Sequence, residues 1–170
     1  MSHKIKVSIN GFGRIGRSLL RAYFQYPEKY EKNIDIVAVN DIADLKTLTH
    51  LFKYDSVMGK FQGSLEVDGN HLIINGKKIR FTQSAFDEID WKSVNTDVVI
   101  ESTGRFLSKK DGETHIKNGA KKVIFSAPAK EEVDATIVVG VNDSLLTPNH
   151  QFVSNSSCTT NCLAPIIQIL

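Results

Sequence analysis

Six residues near the start of the chain, Gly11 to Gly16, restrict its fold more than any other part of the sequence. They read Gly-Phe-Gly-Arg-Ile-Gly and fit the pattern G-x-G-x-x-G. The preceding residues 5–9 alternate apolar with polar side chains, as a strand does. The following residues 14–26 have helical spacing, with Ile15, Leu19, Ala22 and Tyr23 predicted on one side and Pro27 as the stop. A glycine turn between a strand and a helix indicates the first unit of an α/β domain.

The rest of the chain continues this alternation of strands and helices. Apolar runs predict strands at 34–40, 97–101, 123–126, 136–139 and 152–153. Helices are predicted at 44–54, 109–118 and 158–170, with a kink or break at Pro165. Turn dipeptides within 63–81 indicate small antiparallel strands. We therefore predict an α/β fold: a doubly wound, mostly parallel, Rossmann-like sheet with a small antiparallel insertion.

Composition sets limits on function. The 170 residues carry a net charge of +2, which gives no support for nucleic-acid binding or for an anionic membrane surface. No segment is as long and apolar as a membrane span. The two cysteines, without a secretory signal, indicate a reducing compartment, and we expect the cytoplasm. The cysteines and the five histidines have no convincing metal-ligand spacing, so no metal site is predicted.

The glycine turn and the acid that follows the second strand together predict a bound dinucleotide. Gly11 permits a tight turn, Gly13 lets the backbone approach a pyrophosphate, and Gly16 lets the helix pack on the strand. Asp41 follows the glycine turn at close to the spacing of about 20 residues that places a carboxylate against the ribose hydroxyls. This acid favours NAD over NADP. The alternative is a glycine turn in a domain that binds nothing.

A second loop, Ser102-Thr103-Gly104-Arg105-Phe106, follows the strand at 97–101, and its first three residues are small. Ligands bind at the carboxyl ends of strands in such sheets, and these small residues allow a close approach. The same composition is also typical of an ordinary turn.

Cys158 is the candidate nucleophile. It is expected in the first turn of the last helix, where free N–H groups and the helix dipole favour a thiolate. A thiolate adds to an aldehyde, and the adduct is able to give a hydride to a nicotinamide and leave a thioester. The neighbouring hydroxyls of Ser157 and Thr159 suit a phosphate. The alternative for Cys158 is a buried structural cysteine, which is also how we interpret Cys162.

Together these motifs resemble the phosphorylating glyceraldehyde-3-phosphate dehydrogenase family. The matching segments span nearly the whole chain: 9–17, 39–41, 54–56, 102–104, 119–124, 126–128 and 154–162.

The resemblance implies a role for each matching position. Cys158 would be the nucleophile, and Ser157 and Thr159 would bind substrate or inorganic phosphate. The cofactor positions run from the pyrophosphate turn through the adenosine ribose and adenine end to the nicotinamide side: Asn10, Gly11, Gly13, Arg14, Ile15, Gly16, Asp41, Arg80, Thr103, Gly104 and Ser126. His115 matches no catalytic base and is interpreted as structural.

The resemblance also implies a domain division. Residues 1–157 would be the NAD-binding domain, and 158–170 the start of an active-site helix that leads to a catalytic domain absent from this sequence. That domain supplies the catalytic histidine in the family, so we expect the 170 residues alone to be inactive. The substrates implied are an aldehyde phosphate and inorganic phosphate, and the complete protein is expected to be a homotetramer. Two alternatives stay open: an erythrose-4-phosphate dehydrogenase and a non-catalytic nucleotide-binding module.

Overall fold

A computed structural model describes residues 4–170. Within them lie eleven strands, five α-helices and three short 3₁₀ helices at Phe86–Glu88, Lys92–Val94 and Asp143–Leu145. The strands are β1 (Ile5–Asn10), β2 (Ile34–Asn40), β3 (Tyr54–Asp55), β4 (Gly59–Lys60), β5 (Leu65–Asp68), β6 (His71–Ile74), β7 (Lys77–Thr82), β8 (Val98–Glu101), β9 (Lys122–Phe125), β10 (Ala135–Thr136) and β11 (Phe152–Ser154). The helices are α1 (Arg14–Gln25), α2 (Pro27–Tyr30), α3 (Leu45–Lys53), α4 (Lys109–Lys117) and α5 (Cys158–Ile169).

Nine strands form one sheet in the order β10-β11-β9-β8-β1-β2-β7-β6-β5. The first seven strands in this order, β10 through β7, pair in parallel with their neighbours. The last two, β6 and β5, add an antiparallel edge. The short β3 and β4 form a separate antiparallel pair. The strand order reverses next to β1, so the carboxyl ends of β8, β1, β2 and β7 meet at one edge. The predicted α/β fold, with its antiparallel insertion, is confirmed.

Apolar side chains cover both faces of the sheet. Successive strand residues point to opposite faces, and Ile100 packs in the cluster formed with α1 and α3, whereas Val99 packs with Trp91 and Ala120. A smaller cluster contains Phe125 and Phe152. No helix in residues 4–170 has the length and apolar character needed to cross a bilayer.

The predicted inner face of α1 is partly wrong. Ile15 is 52% exposed, whereas Leu20, Tyr23 and Phe24 are buried. Arg21 is buried with them because its guanidinium donates to the carbonyl of Phe52 at the end of α3. The helix ends at Gln25, as the nearby proline predicts, but Pro27 then begins the short α2, in the first-turn position that suits proline.

The last helix also differs from expectation. It runs unbroken through Pro165, so no break occurs there. Cys162 was expected to be buried, but it is exposed, and no residue of α5 is buried in the described part of the chain. The predicted strand at 136–139 shortens to Ala135–Thr136, and Val138 N instead donates to Asn142 Oδ1 at 2.7 Å.

Candidate functional site

A cavity of about 240 Å³ opens at the carboxyl ends of β1, β2, β7 and β8. The last residues of β1 and β2 and the segments after the four strands line it: Asn10, Gly11, Gly13, Asn40, Asp41, Ile42, Ser84, Phe86, Ser102, Thr103, Arg105 and Phe106. This is the edge at which a doubly wound sheet binds its ligands. The predicted residues Asn10, Gly11, Gly13, Asp41 and Thr103 all line this cavity.

The glycine turn after β1 packs closely on the loop after β8. Gly11 has φ +90°, and a Cβ there would lie 2.6 Å from Thr103 N. A Cβ on Gly16 would lie 2.2 Å from the Gly11 carbonyl oxygen. Ser102 Oγ donates to that same oxygen at 2.7 Å and joins the two loops. Two of the three glycines are therefore required by close backbone contacts.

The middle glycine of the motif, Gly13, has a different environment. It is the N-cap of α1, no side chain caps the helix there, and nothing lies within 4 Å of a Cβ built on it. The N–H groups of the first turn, which includes the exposed Arg14 and Ile15, therefore have no side-chain cap. An uncapped helix start next to a cavity is suited to an anionic group such as a pyrophosphate.

Asp41 is held firmly at the cavity wall. Its Oδ2 accepts a hydrogen bond from Phe12 N at 2.6 Å, and its Oδ1 accepts one from Ala43 N at 2.9 Å. Each carboxylate oxygen has two acceptor sites, so one on each remains for a ligand hydroxyl. The half-buried carboxylate is thus placed and oriented to accept hydrogen bonds from a diol.

Several predicted cofactor residues lie outside the cavity lining. The Arg80 guanidinium donates to Ser93 Oγ, and Arg14 forms an ion pair with Asp55 at 3.2 Å. Gly104 is exposed, at φ +72°. Ser126 follows β9, where its N–H donates to the Glu101 carbonyl at 3.0 Å.

Other residues of the lining were not among the individually predicted cofactor residues, although Arg105 and Phe106 lie in the loop that the sequence indicated. Ser84, Phe86, Arg105 and Phe106 belong to the loops after β7 and β8, and the rings of Phe86 and Phe106 stack with centroids 3.7 Å apart. The rule that ligands bind at the carboxyl ends of parallel strands points to residues 83–86 once β7 is paired with β2. The sequence suggested an antiparallel strand there, which hid that signal.

Cys158 is exposed and is the first residue of α5. Ser157 is the N-cap, and its Oγ accepts a hydrogen bond from Thr160 N at 2.9 Å. The Asn161 side-chain amide donates to the carbonyls of Asn155 and Ser157, at 2.7 and 2.9 Å, and fixes the turn before the helix. The thiol therefore lies at an ordered helix start.

The turn residues around Cys158 differ in exposure. Ser156 is buried, with φ +61°, Ser157 is half-buried and Thr159 is exposed. The Oγ atoms of Ser157 and Thr159 lie 3.0 Å apart, so two hydroxyls lie together next to the cysteine. Because β11 is parallel to β9 and β8, this turn lies at the same sheet edge as the cavity.

Histidine and metal chemistry at this edge can be assessed for residues 4–170. His115 is fully buried, and both ring nitrogens have partners, in Trp91 and Glu101. Its interpretation as a structural residue agrees with this environment. Within the described part of the chain no group of three or more His, Cys, Asp or Glu residues is arranged to hold a metal ion.

Comparison with known proteins gives a consistent result. Residues 5–109 match the family described as "Glyceraldehyde 3-phosphate dehydrogenase, NAD binding domain". The chain is 50% identical over 168 residues to glyceraldehyde-3-phosphate dehydrogenase of Geobacillus stearothermophilus, covering 98% of this chain and 48% of the relative. It is 48% identical over 166 residues to the enzyme of Thermotoga maritima, covering 97% and 49%.

Glyceraldehyde-3-phosphate dehydrogenase 1 of Bacillus subtilis is 49% identical over 168 residues, covering 98% of this chain and 48% of the relative. The chain thus spans about half the length of the curated relatives that it matches. The matched domain makes NAD the cofactor, in agreement with the glycine turn, the uncapped start of α1 and the placement of Asp41. Residues 5–109 match the NAD-binding domain of the glyceraldehyde-3-phosphate dehydrogenase family, and the chain belongs to that family.

Proposed function

We propose that this chain is the NAD-binding half of a glycolytic enzyme that oxidises and phosphorylates glyceraldehyde 3-phosphate, with Cys158 as its nucleophile. The observation that carries the proposal is the exposed Cys158 at the start of α5, on the same sheet edge as the cavity after β1, β2, β7 and β8. A nucleophile and a dinucleotide site at one edge suit the oxidation of an aldehyde.

The residues at the cavity fit NAD. The backbone at Gly11 and Gly13 and the first turn of α1 would hold the pyrophosphate, and Asp41 would accept the ribose hydroxyls. NAD, when bound, supplies the acceptor for a hydride. The proposal keeps the other predicted contacts: the backbone of Asn10, Arg14, Ile15 and Gly16 at the pyrophosphate, Arg80 toward the adenine, and Thr103, Gly104 and Ser126 on the nicotinamide side.

The proposed role of Cys158 is covalent. Its thiolate adds to the aldehyde carbon and forms a C–S bond. That carbon then loses a hydride, for which NAD would be the acceptor, and its hydroxyl loses a proton to the histidine that the resemblance places in the other half, so that a thioester is left. Inorganic phosphate attacks that carbon, which breaks the C–S bond, releases an acyl phosphate and restores the thiolate. The hydroxyls of Ser157 and Thr159, side by side at the helix start, would donate hydrogen bonds to substrate or inorganic phosphate.

The proposed domain division is 1–157 for NAD binding and 158–170 for the start of the active-site helix; residues 1–3 lie outside the described part. The resemblance places the catalytic histidine in the half of the relatives that this sequence does not span. We therefore propose that the 170 residues alone do not turn over substrate and that the complete enzyme is a cytoplasmic homotetramer.

Calorimetric titration with NAD tests the cofactor part of the proposal. We expect saturable binding that Asp41→Ala weakens at least about tenfold, because charged hydrogen bonds to the ribose are lost. Asp68→Ala is the matched control, since Asp68 is an exposed carboxylate on β5 whose partner is Lys78. An equal effect of both variants, or no saturable binding by the parent chain, would contradict the proposal.

Alkylation kinetics test the nucleophile. Cys158 and Cys162 are both exposed and lie one turn apart on α5, so Cys162 is an internal control. We expect iodoacetamide to modify Cys158 faster, because only Cys158 lies in the first turn, where helix N–H groups stabilise a thiolate. Peptide mass mapping over time gives both rates. Equal rates would contradict the assignment and favour the non-catalytic nucleotide-binding module.

The choice between glyceraldehyde and erythrose phosphate as substrate is tested in the complete enzyme. We expect a higher kcat/KM for glyceraldehyde 3-phosphate, and a higher value for erythrose 4-phosphate would reverse the choice.

A further inference from the structure

A row of buried polar side chains, which the proposed chemistry does not use, extends from the cavity lining into the interior. We name it the buried polar chain and define it as Trp91, His115, Glu101, Asn10 and Asn40. Glu101 and His115 are 0% exposed, Trp91 1%, Asn10 2% and Asn40 3%. Polar groups so deeply buried require hydrogen-bond partners, and the direction of each bond can be assigned from the chemistry of the groups.

Glu101 accepts hydrogen bonds from four donors. Asn10 Nδ2 donates to Oε2 at 2.6 Å, and His115 Nε2 lies 3.0 Å from the same oxygen. Thr103 donates to Oε1 twice, from its backbone N at 2.8 Å and from its Oγ1. Two of these partners, Asn10 and Thr103, line the cavity. The carboxylate thus connects Asn10, at the end of β1, with Thr103, in the loop after β8.

The histidine side of the buried polar chain has one possible direction. An indole N–H can only donate, so Trp91 Nε1 donates to His115 Nδ1 at 3.0 Å. The proton of the neutral ring therefore lies on Nε2, which donates to Glu101. His115 has no second neutral tautomer that keeps both bonds.

The asparagine side is directed in the same way. Asn40 Oδ1 accepts hydrogen bonds from Ser84 N at 3.0 Å and from Thr82 Oγ1 at 2.8 Å. This leaves its Nδ2 as the donor to Asn10 Oδ1 at 2.9 Å, and Asn10 then donates to Glu101. Because Ser84 N is a backbone donor, neither amide can be flipped without opposing two donors. The bonds from both sides therefore converge on Glu101.

We infer that Glu101 is a positioning residue of the NAD site: as the common acceptor of the buried polar chain, it sets how the loops after β1, β7 and β8 face the cofactor. The inference rests on the proposed binding of NAD in this cavity. Only a carboxylate, whose two oxygens both accept hydrogen bonds, satisfies all four donors to position 101. An amide at position 101 would place N–H groups against Thr103 N–H or against a donor on Oε2.

The test compares Glu101→Gln, which keeps size and shape, with Ser8→Ala. Ser8 is also fully buried on β1, and its Oγ bonds to Thr96 Oγ1 at 2.7 Å, but neither residue lines the cavity. Calorimetry should show NAD binding about tenfold weaker in folded Glu101→Gln, because the loops lose their common acceptor. Ser8→Ala should stay within about twofold of the parent chain.

Spectroscopy gives a readout that does not depend on NAD. Trp91 is the single tryptophan, so one indole N–H resonance reports on the far end of the buried polar chain. In Glu101→Gln we expect that resonance and the Thr103 amide resonance to shift, whereas Ser8→Ala leaves both in place. If the parent chain binds no NAD, the proposed function fails, and these shifts alone support or overturn the inference.

A second variant, Trp91→Phe, keeps the inference testable if Glu101→Gln does not fold. It removes the indole donor at a residue that does not line the cavity. Without that donor, His115 is able to adopt its other neutral tautomer, with the proton on Nδ1. We expect NAD binding to weaken several-fold, with the Thr103 amide resonance displaced. Parent-like NAD binding by folded Glu101→Gln or Trp91→Phe, or unmoved loop resonances, would overturn the inference.

Discussion

Replacing Gly11 by alanine should unfold the chain at a lower temperature, whether or not NAD is present. Gly11 has φ +90°, a backbone region that side chains disfavour. The new Cβ would lie 2.6 Å from Thr103 N and 2.8 Å from Ser102 C, and both are backbone atoms that cannot rotate away. The loops after β1 and β8 must therefore separate, and the Ser102 Oγ bond to the Gly11 carbonyl at 2.7 Å lengthens or breaks.

The size of the effect follows from two terms. A left-handed backbone costs a non-glycine residue about 1–2 kcal/mol. Inserting a methyl group into a filled space costs about 1–3 kcal/mol. We expect Gly11→Ala to lower the free energy of unfolding by about 2–5 kcal/mol. For a domain of this size each kcal/mol shifts Tm by about 2–4 °C, so the midpoint should fall by about 10 °C.

Gly13→Ala is the matched control within the same motif. Gly13 has φ −67°, and its Cβ would meet nothing within 4 Å. We expect an unfolding free energy within about 1 kcal/mol of the parent chain. The added methyl would instead occupy space that the pyrophosphate needs, so NAD binding should weaken by about tenfold or more.

Urea denaturation followed by circular dichroism gives the stability of both variants, and calorimetry gives their NAD affinity. We expect Gly11→Ala to lose stability, whereas Gly13→Ala loses NAD affinity and keeps its stability. Equal stability of Gly11→Ala and the parent chain would refute the close loop contact, and parent-like NAD binding by Gly13→Ala would refute the placement of the pyrophosphate.

Three further substitutions test the packing around the site. Arg21→Met should lower the free energy of unfolding by about 2–3 kcal/mol in urea, because the buried Phe52 carbonyl loses a charged donor, and Arg21→Lys should not restore it. Ser108→Ala should cost about 1 kcal/mol in the same assay, because Ser108 closes the capping box of α4. The backbone N–H of Phe152 is the main cause that holds the pKa of Asp134 below its ordinary value of 3.8. That stabilisation is present above the ordinary pKa of Asp134 and is lost as pH falls through its lower pKa in the folded chain. In Asp134→Asn, the free energy of unfolding should therefore decrease less steeply as pH falls below about 4.

The fold was predictable because its signals are local. A strand, a glycine turn and a helix within 5–25 are set by side-chain period and by backbone freedom, and both can be read from neighbouring residues. Parallel pairing then followed from the helical crossovers. The position of Asp41 was also a local inference, since it follows directly from the end of β2.

The inner face of α1 shows where local reading stops. Hydrophobicity favoured Ile15 over Arg21, yet Ile15 is exposed and Arg21 is buried. The burial of Arg21 depends on carbonyls of Phe52 and Lys53, which another helix brings to it. A charged side chain whose partners are backbone atoms distant in sequence gives no periodic signal.

Glu101 is the clearest case of a site residue that sequence reasoning assigned only to a strand. An acid at the end of a central parallel strand has two possible roles: it faces the ligand, as Asp41 does, or it lies beneath the site as a buried acceptor. The donors decide between them, and for Glu101 they come from β1, from its own loop and from His115 on α4. The imidazole of His115 lies on α4, and its Nε2 is 3.0 Å from Glu101 Oε2, whereas its ring also contacts Phe86, which lines the cavity. When a central parallel strand ends in an acid and the next helix carries a histidine, this pattern indicates a buried carboxylate that supports the binding site.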